Sequence, residues 1–512
     1  MKRIRPVSFR IAAWVGAFNF RDDYKKGIPQ WGVSTPRRGV PFRIYQGYDS
    51  YSNHAKGGGQ MQQAKILKER KDSILHGGGC GGDGRGISCE KASVSGAVSQ
   101  RACVYCGARV VLNPITDAYH IVHGPIGCAS YTWDIRGSLS SGSELFRNSF
   151  STDLREKDIV FGGANKLTDA IDELVKKHAP RLIFVYATCI VGVIGDDVEA
   201  VCRLAEQRYG IRVIPVKAPG FSGTKSLGYK MACNALMQYL LPHKDIPKQT
   251  GVNILGDFNL AGEMWIIKNY LKRIGIPVIS TITGDATCDT LAQAPSASLN
   301  IVQCAGSSTY LANRMQDEMG IPFLKVSFFG IEDTTSSLLR IAQAMGNPAA
   351  EQKAQEFTFE QKKRLQGFLD QYRPRLAGKR AAIYVGGGFK AISLIRQFNE
   401  LGMKTVVVGT QTGSKEDYDV IQSLVGDDTV ILDDANPAEL EAYMKQKGAD
   451  ILVGGVKERP LAYKLGIAFC DHNHERKHAL AGFEGVENFV REIHLSMNSP
   501  VWSYTARFTE KE

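Results

Sequence analysis

Residues 262–282 read GEMWIIKNYLKRIGIPVISTI. An amphipathic run of helical period over Glu263–Ile274 stops at Gly275, and a short apolar run, Val278–Thr281, follows. A glycine there takes the left-handed conformation that ends a helix, and the next apolar residue packs back on it. The same device recurs at Gly320, Gly402 and Gly466, each set between a helical run and a new apolar one. Short apolar runs alternating with amphipathic segments are the pattern of βαβ units and a parallel sheet. The other strand readings are Leu182–Tyr186, Val213–Val216, Val252–Leu255, Asn300–Gln303, Leu324–Phe328, Ala381–Val385, Thr405–Val408, Val430–Leu432, Ile451–Val453 and Ile467–Phe469. Several doubly wound units are expected, and not one barrel. The charged stretch Glu351–Arg375, with few large apolar residues, is read as a link between the second unit and the third.

The length of 512 residues and the 43% hydrophobic content are those of a multidomain globular protein. No run reaches the ~18 apolar residues of a membrane span. Eleven cysteines are scattered without the dense framework of a secreted disulfide protein, so a reducing cytoplasm is expected. The net charge of +11 is uneven: residues 1–60 hold eleven Lys or Arg against three Asp. The remaining body is nearly neutral and offers no charge argument for nucleic-acid binding. Residues 1–60 lack periodicity and precede a clean helical start at Met61. They are read as a non-native upstream extension, the alternative being a disordered basic arm. The short apolar run Ile11–Phe18 has no cleavage pattern and is not read as a signal peptide.

Chemistry concentrates in Arg101–Gly137, RACVYCGARVVLNPITDAYHIVHGPIGCASYTWDIRG. Cys103 and Cys128 flank it, and Cys128 sits in a tight GPIGC turn. Thiolates so placed suit a metal or iron–sulfur cluster; buried core thiols are the alternative. The CVYC spacing at Cys103 and Cys106 has no second CxxC to complete a zinc site. Further on, Cys189 and Cys304 end strand-like runs, and His472 and His474 follow the last one. Ligands in open α/β sheets bind at the carboxyl ends of strands. Gly386-Gly387-Gly388 lacks the spacing of a nucleotide loop.

Eight segments carry a resemblance to a known family: residues 97–142 around the stretch just quoted, FSTDLREKDIVFGG, ATCIVGVIGDDVEAV, PGFSGTKSLGYK, GDFNLAGE, SFFGIEDTTSSL, DHNHERKHALAGFEG and SPVW. In this order they resemble the nitrogenase component family, and within it the scaffolds that assemble the iron–molybdenum cofactor. The likeness spans about residues 61–505 and leaves 1–60 without a counterpart. It implies an α/β chain of three Rossmann-like doubly wound parallel-sheet domains, with boundaries expected at 61–250, 251–375 and 376–512. It implies a 4Fe–4S cluster shared with a partner subunit, with Cys103, Cys128 and Cys189 as this chain's ligands. Cys304 falls where the family anchors the cofactor, here an eight-iron precursor that later receives molybdenum and homocitrate. Arg136, His472 and Lys225 fall at the same pocket, with His474 as an alternative to His472.

The partners implied are NifN in an α2β2 complex, the nitrogenase iron protein NifH, NifB as precursor donor and apo-nitrogenase as acceptor. Lys225, Tyr229 and Gly306 stand where a catalytic nitrogenase has glutamine, histidine and arginine. The resemblance therefore implies a holder of the cofactor with no catalytic residues of its own, the rival being a catalytic alpha chain or a related reductase subunit. Lys225 and Lys390 suit an anionic guest.

Overall fold

A computed structural model of the chain describes residues 68–76, 87, 102–133, 148–241, 246–473, 476 and 478–502. The 1–60 extension, Cys80, Cys89, Arg136 and His474 lie outside them. Three sheets organise the described residues. The first runs Ser149–Ser151, Ala118–His123, Leu182–Ala187, Arg212–Lys217, all parallel. The second runs Phe323–Lys325, Leu299–Val302, Val252–Leu255, Val278–Ile282, also parallel. The third runs Ile74–His76, Val430–Asp433, Lys404–Thr410, Arg380–Val385, Ile451–Gly454, Ala468–Asp471. Only its first strand, drawn from far upstream, is antiparallel.

The strands read as continuous apolar runs because both faces are covered. In Leu182–Ala187, Leu182, Phe184 and Tyr186 join one core, while Ile183, Val185 and Ala187 join another. In the third sheet Ile383, Val408 and Val453 face one core, and Ala382, Tyr384 and Val407 the other. This is the doubly wound α/β architecture. Gly275, Gly320, Gly402 and Gly466 have φ of +84°, +66°, +71° and +66°, as the helix-stop reading requires.

The stretch Glu351–Arg375 is more than a link. It lies inside one helix, Pro348–Leu376, started by the Asn347 side chain accepting from Ala349 and Ala350 N–H. Its apolar residues are sparse but fall on one stripe, and Ala354, Phe357, Leu365 and Leu369 are buried. The upstream strand is held by Arg70, whose Nε donates to both oxygens of buried Glu439 (3.1 and 3.2 Å) and whose Nη2 donates to the Asp433 carbonyl.

Chain order places a switch point in every sheet, where successive connections leave in opposite directions and a crevice opens at the strand ends. In the first sheet it falls between Ala118–His123 and Leu182–Ala187; in the second, between Val252–Leu255 and Leu299–Val302; in the third, between Arg380–Val385 and Ile451–Gly454. The residues that follow those six strands build the sites below.

Candidate cluster and cofactor sites

At the first switch point, Cys128 lies in the helix Ile126–Trp133 after the strand ending at His123, and Cys189 opens the helix Cys189–Ile194 after the strand ending at Ala187. Cys103 precedes the helix Val104–Leu112 and forms a β-bridge with Thr224. That helix packs tightly on Lys225–Ala235: a Cβ on Gly107 would lie 2.1 Å from the Lys225 carbonyl, and one on Gly228 2.0 Å from that of Val104.

Cys189 and Cys103 converge on Gly220, and Cys128 lies close enough to both to feel their charge. The Gly220 N–H donates to Cys189 Sγ at 3.0 Å. A Cβ there would sit 3.0 Å from Cys189 Sγ and 3.4 Å from Cys103 Sγ, so only glycine leaves this space open. Burial pushes the Cys128 thiol up, and the neighbouring Cys189 and Cys103 push it further, against a hydrogen bond from Thr188. A thiol raised by two neighbouring thiols suits a cation that would absorb the charge. Among the described residues no three His, Cys, Asp or Glu side chains stand close enough for a single metal ion. The donor set and the cradle at Gly220 fit a wider, multi-iron cluster. Around the exposed Cys189 stand apolar side chains in the open: Ile126, Phe161, Val193 and Phe221 are 57, 87, 70 and 65% exposed.

The second and third switch points share a cavity of about 400 Å³. Gly256–Leu260, Gln303 and Cys304 come from the second sheet, Gly386–Lys390 and Gly455–Glu458 from the third. Cys106, Tyr131, Lys225 and Tyr229 close the side nearest the cysteines. Cys304 precedes the first turn of the helix Ala305–Met319. The predicted residues Cys304, Lys225 and Lys390 are thus brought together; Lys225 Nζ lies 5.7 Å from the Tyr229 ring centre and Lys390 Nζ 5.6 Å from that of Phe329.

His472 is not brought there. It is fully buried, edge-on to Phe329 (5.3 Å) and Phe489 (5.9 Å). Burial, then the cations Lys390 and Arg476, hold its ring well below the usual histidine range, so it is neutral. Its carbonyl accepts from Lys390 Nζ at 3.0 Å, which places His472 behind the wall.

Sequence reasoning missed a set of buried charges in that wall. Arg476 pairs with Glu263 at 2.9 Å, the side chains 4 and 2% exposed. Burial and then Glu263 raise the Asp257 carboxyl, against the Asn259 N–H, Arg476 and Lys390. Burial pushes Glu458 up to about 7. The only sequence signal was that GDFNLAGE and VKERP each follow a strand end. Cys106, left without a role beside Cys103, also lines the cavity.

Comparison with known proteins adds the last observation. The nitrogenase component 1 type oxidoreductase family matches residues 103–498. The chain belongs to that family. It is 64% identical to the nitrogenase iron-molybdenum cofactor biosynthesis protein NifE of Clostridium pasteurianum, over 87% of this chain and 98% of that one. Against the NifE of Methanosarcina barkeri the figures are 52%, 81% and 92%. Among solved structures, nitrogenase Cp1 at pH 6.5 superimposes with a TM-score of 0.78 and 30% identity, covering 85% of this chain and 96% of that one. The nitrogenase component 1 fold and its three sheets, parallel but for one edge strand, therefore agree with the α/β expectation.

Proposed function

We infer that this chain is a molecular scaffold on which the nitrogenase iron–molybdenum cofactor is assembled. It holds an iron–sulfur precursor as cargo during molybdenum and homocitrate insertion, before transfer to apo-nitrogenase. The observation that carries the reading is the Cys304 cavity at two facing switch points, in a chain 64% identical to a NifE protein over 98% of its length.

In this reading Cys304 offers the cargo a thiolate, while Lys225 and Lys390 offset the charge of an anionic cluster. His472 acts through its carbonyl by fixing Lys390; Arg136, outside the described residues, is proposed from the resemblance alone. Cys103, Cys128 and Cys189 would hold a resident 4Fe–4S cluster, which supplies one-electron chemistry when bound. A partner subunit, NifN, would cover the apolar side chains around Cys189 and complete the ligand set in an α2β2 complex. NifB is the proposed donor and NifH the proposed helper in molybdenum insertion. The domain division at 250 and 375 is proposed, the third sheet borrowing its edge strand Ile74–His76 from the first part. No helix among the described residues is long and apolar enough to cross a membrane, and a cytoplasmic site of action is proposed.

The test is anaerobic purification of the chain co-expressed with its partner, with iron and molybdenum analysis and activation of apo-nitrogenase. Iron-loaded protein that activates apo-nitrogenase is the expected result. The likeness to nitrogenase Cp1 favours a second reading, a catalytic alpha chain. Acetylene reduction by the purified complex at nitrogenase-like rates would establish that reading and overturn the scaffold.

A further inference from the structure

Arg109 lies two turns into the helix Val104–Leu112 and is 3% exposed. Its Nη2 donates to Ser149 Oγ at 2.6 Å, and its Cζ lies 5.5 Å from the Tyr186 ring centre. Nε and Nη1 have no hydrogen-bond partner, and no carboxylate among the described residues pairs with the guanidinium. The ionisable side chains around it are neutral. Burial and then Arg109 hold His120 well below the usual range. Burial also raises Tyr186. A buried cation without a counter-charge costs several kcal/mol unless an anion stands within reach.

Two of the elements that meet at Arg109, its own helix and the strand of Tyr186, lead to Cys103 and Cys189, and the helix of Cys128 is joined through Tyr105. Cys103 is six residues before Arg109, about 9 Å along the helix axis. Tyr105, one turn back, shares a 2.7 Å hydrogen bond with Thr132, whose hydroxyl donates to the Cys128 carbonyl at 3.3 Å. Tyr186 is three residues before Cys189 on the strand Leu182–Ala187 that leads to it. A thiolate-ligated iron–sulfur cluster on those cysteines is an anionic group, and the medium between is low in dielectric.

We propose that Arg109 is the buried counter-charge of the cluster held by Cys103, Cys128 and Cys189, a positioning residue that raises the cluster's reduction potential. The inference rests on the cluster assignment made above. One-electron reduction adds one negative charge to the cluster and leaves its thiolates in place; a fixed cation favours the reduced form. Removing that cation moves the midpoint potential to more negative values.

The experiment is a redox titration of the complex of this chain with its partner, followed by electron paramagnetic resonance, with dithionite as electron donor. Arg109→Met is expected to keep its iron and titrate at a more negative potential, while Arg109→Lys stays near the parent. A Met variant with unchanged potential, or a Lys variant displaced as far as the Met variant, overturns the proposal. Thermal melting gives a second readout. In the iron-free protein the cation has lost its anion, so Arg109→Met is expected to melt above the parent; a lower melting temperature, or failure to fold, overturns the counter-charge. A parent complex with no cluster signal at all refutes the cluster assignment instead.

Discussion

Cys128 and Cys189 on one side, with Cys103 beside them, and Cys304 on the other stand at topologically equivalent places, strand ends beside a switch point, yet their surroundings differ. The first group has three neighbouring thiols, two of them against one glycine, a backbone N–H on a sulfur and apolar side chains outside. Cys304 stands in a cavity whose wall carries Lys225, Lys390, Arg476, Asp257, Glu263 and Glu458. Several thiolates hold a group by coordination, which releases slowly. One anchor thiol with charged neighbours holds a guest by a field that protonation and water can retune. Under the proposed function the contrast is that of a resident and a visitor, built from the same α/β device.

The contrast breaks most visibly by removing thiols. Alanine at Cys103, Cys128 or Cys189 should abolish the resident cluster signal in purified complex, whereas Cys304→Ala should leave it and lose the cargo. Loss of both signals in Cys304→Ala would merge the two sites into one. Gly220→Ala sharpens the point without touching a ligand. Its methyl group would overlap Cys189 Sγ, so cluster occupancy should fall and apoprotein stability drop by about 1–3 kcal/mol.

A milder test uses pH. Glu458 is 2% exposed and its carboxyl is pushed from 4.5 to about 7 by burial. Between those values the folded chain keeps a proton that the unfolded chain has released, so this group's contribution is full below pH 4.5 and lost as pH rises through 7. Each pKa unit corresponds to about 1.4 kcal/mol, so the slope amounts to a few kcal/mol at most. Glu458→Gln can still accept from Gly455 N–H and should flatten that fall; denaturant titrations at pH 5, 6 and 7.5 measure it. An identical slope in both proteins would assign the pH dependence elsewhere. The smallest effect is expected from Lys457→Met, which removes a cation 5.7 Å from the Tyr131 ring at the cavity lining. A loss of about 0.5–1 kcal/mol and somewhat faster cargo release, with the cluster untouched, is the expected outcome.

The fold was legible because its signals are local. A glycine after an apolar residue stops a helix wherever it occurs, and an apolar run buried on both faces shows itself without its neighbours. The helix Pro348–Leu376 escaped because it buries a sparse stripe, so its composition resembled that of a solvated linker. The cysteines were legible through their turns and through resemblance, and Gly220 beside them was not. What marks that glycine is the space it leaves for residues 31 and more positions away. Arg476, Glu263 and Asp257 were hidden for the same reason: a charge announces burial only once its partner is in place. His472, after a strand end, has the pattern of a ligand; its ring packs between two phenylalanines, and both ring nitrogens lack a hydrogen-bond partner among the described residues.

The strand Ile74–His76 closes the edge of the third sheet against Val430–Leu432, and Arg70 locks it to Glu439 across 369 residues. An early-made strand is therefore seated only after the segment around Val430–Glu439 has been synthesised. Until then the last sheet has a bare margin open to any extended segment, and the early strand has no home. This sheet is closed only when two segments far apart in the sequence find each other, so its weak point during synthesis lies at that seam.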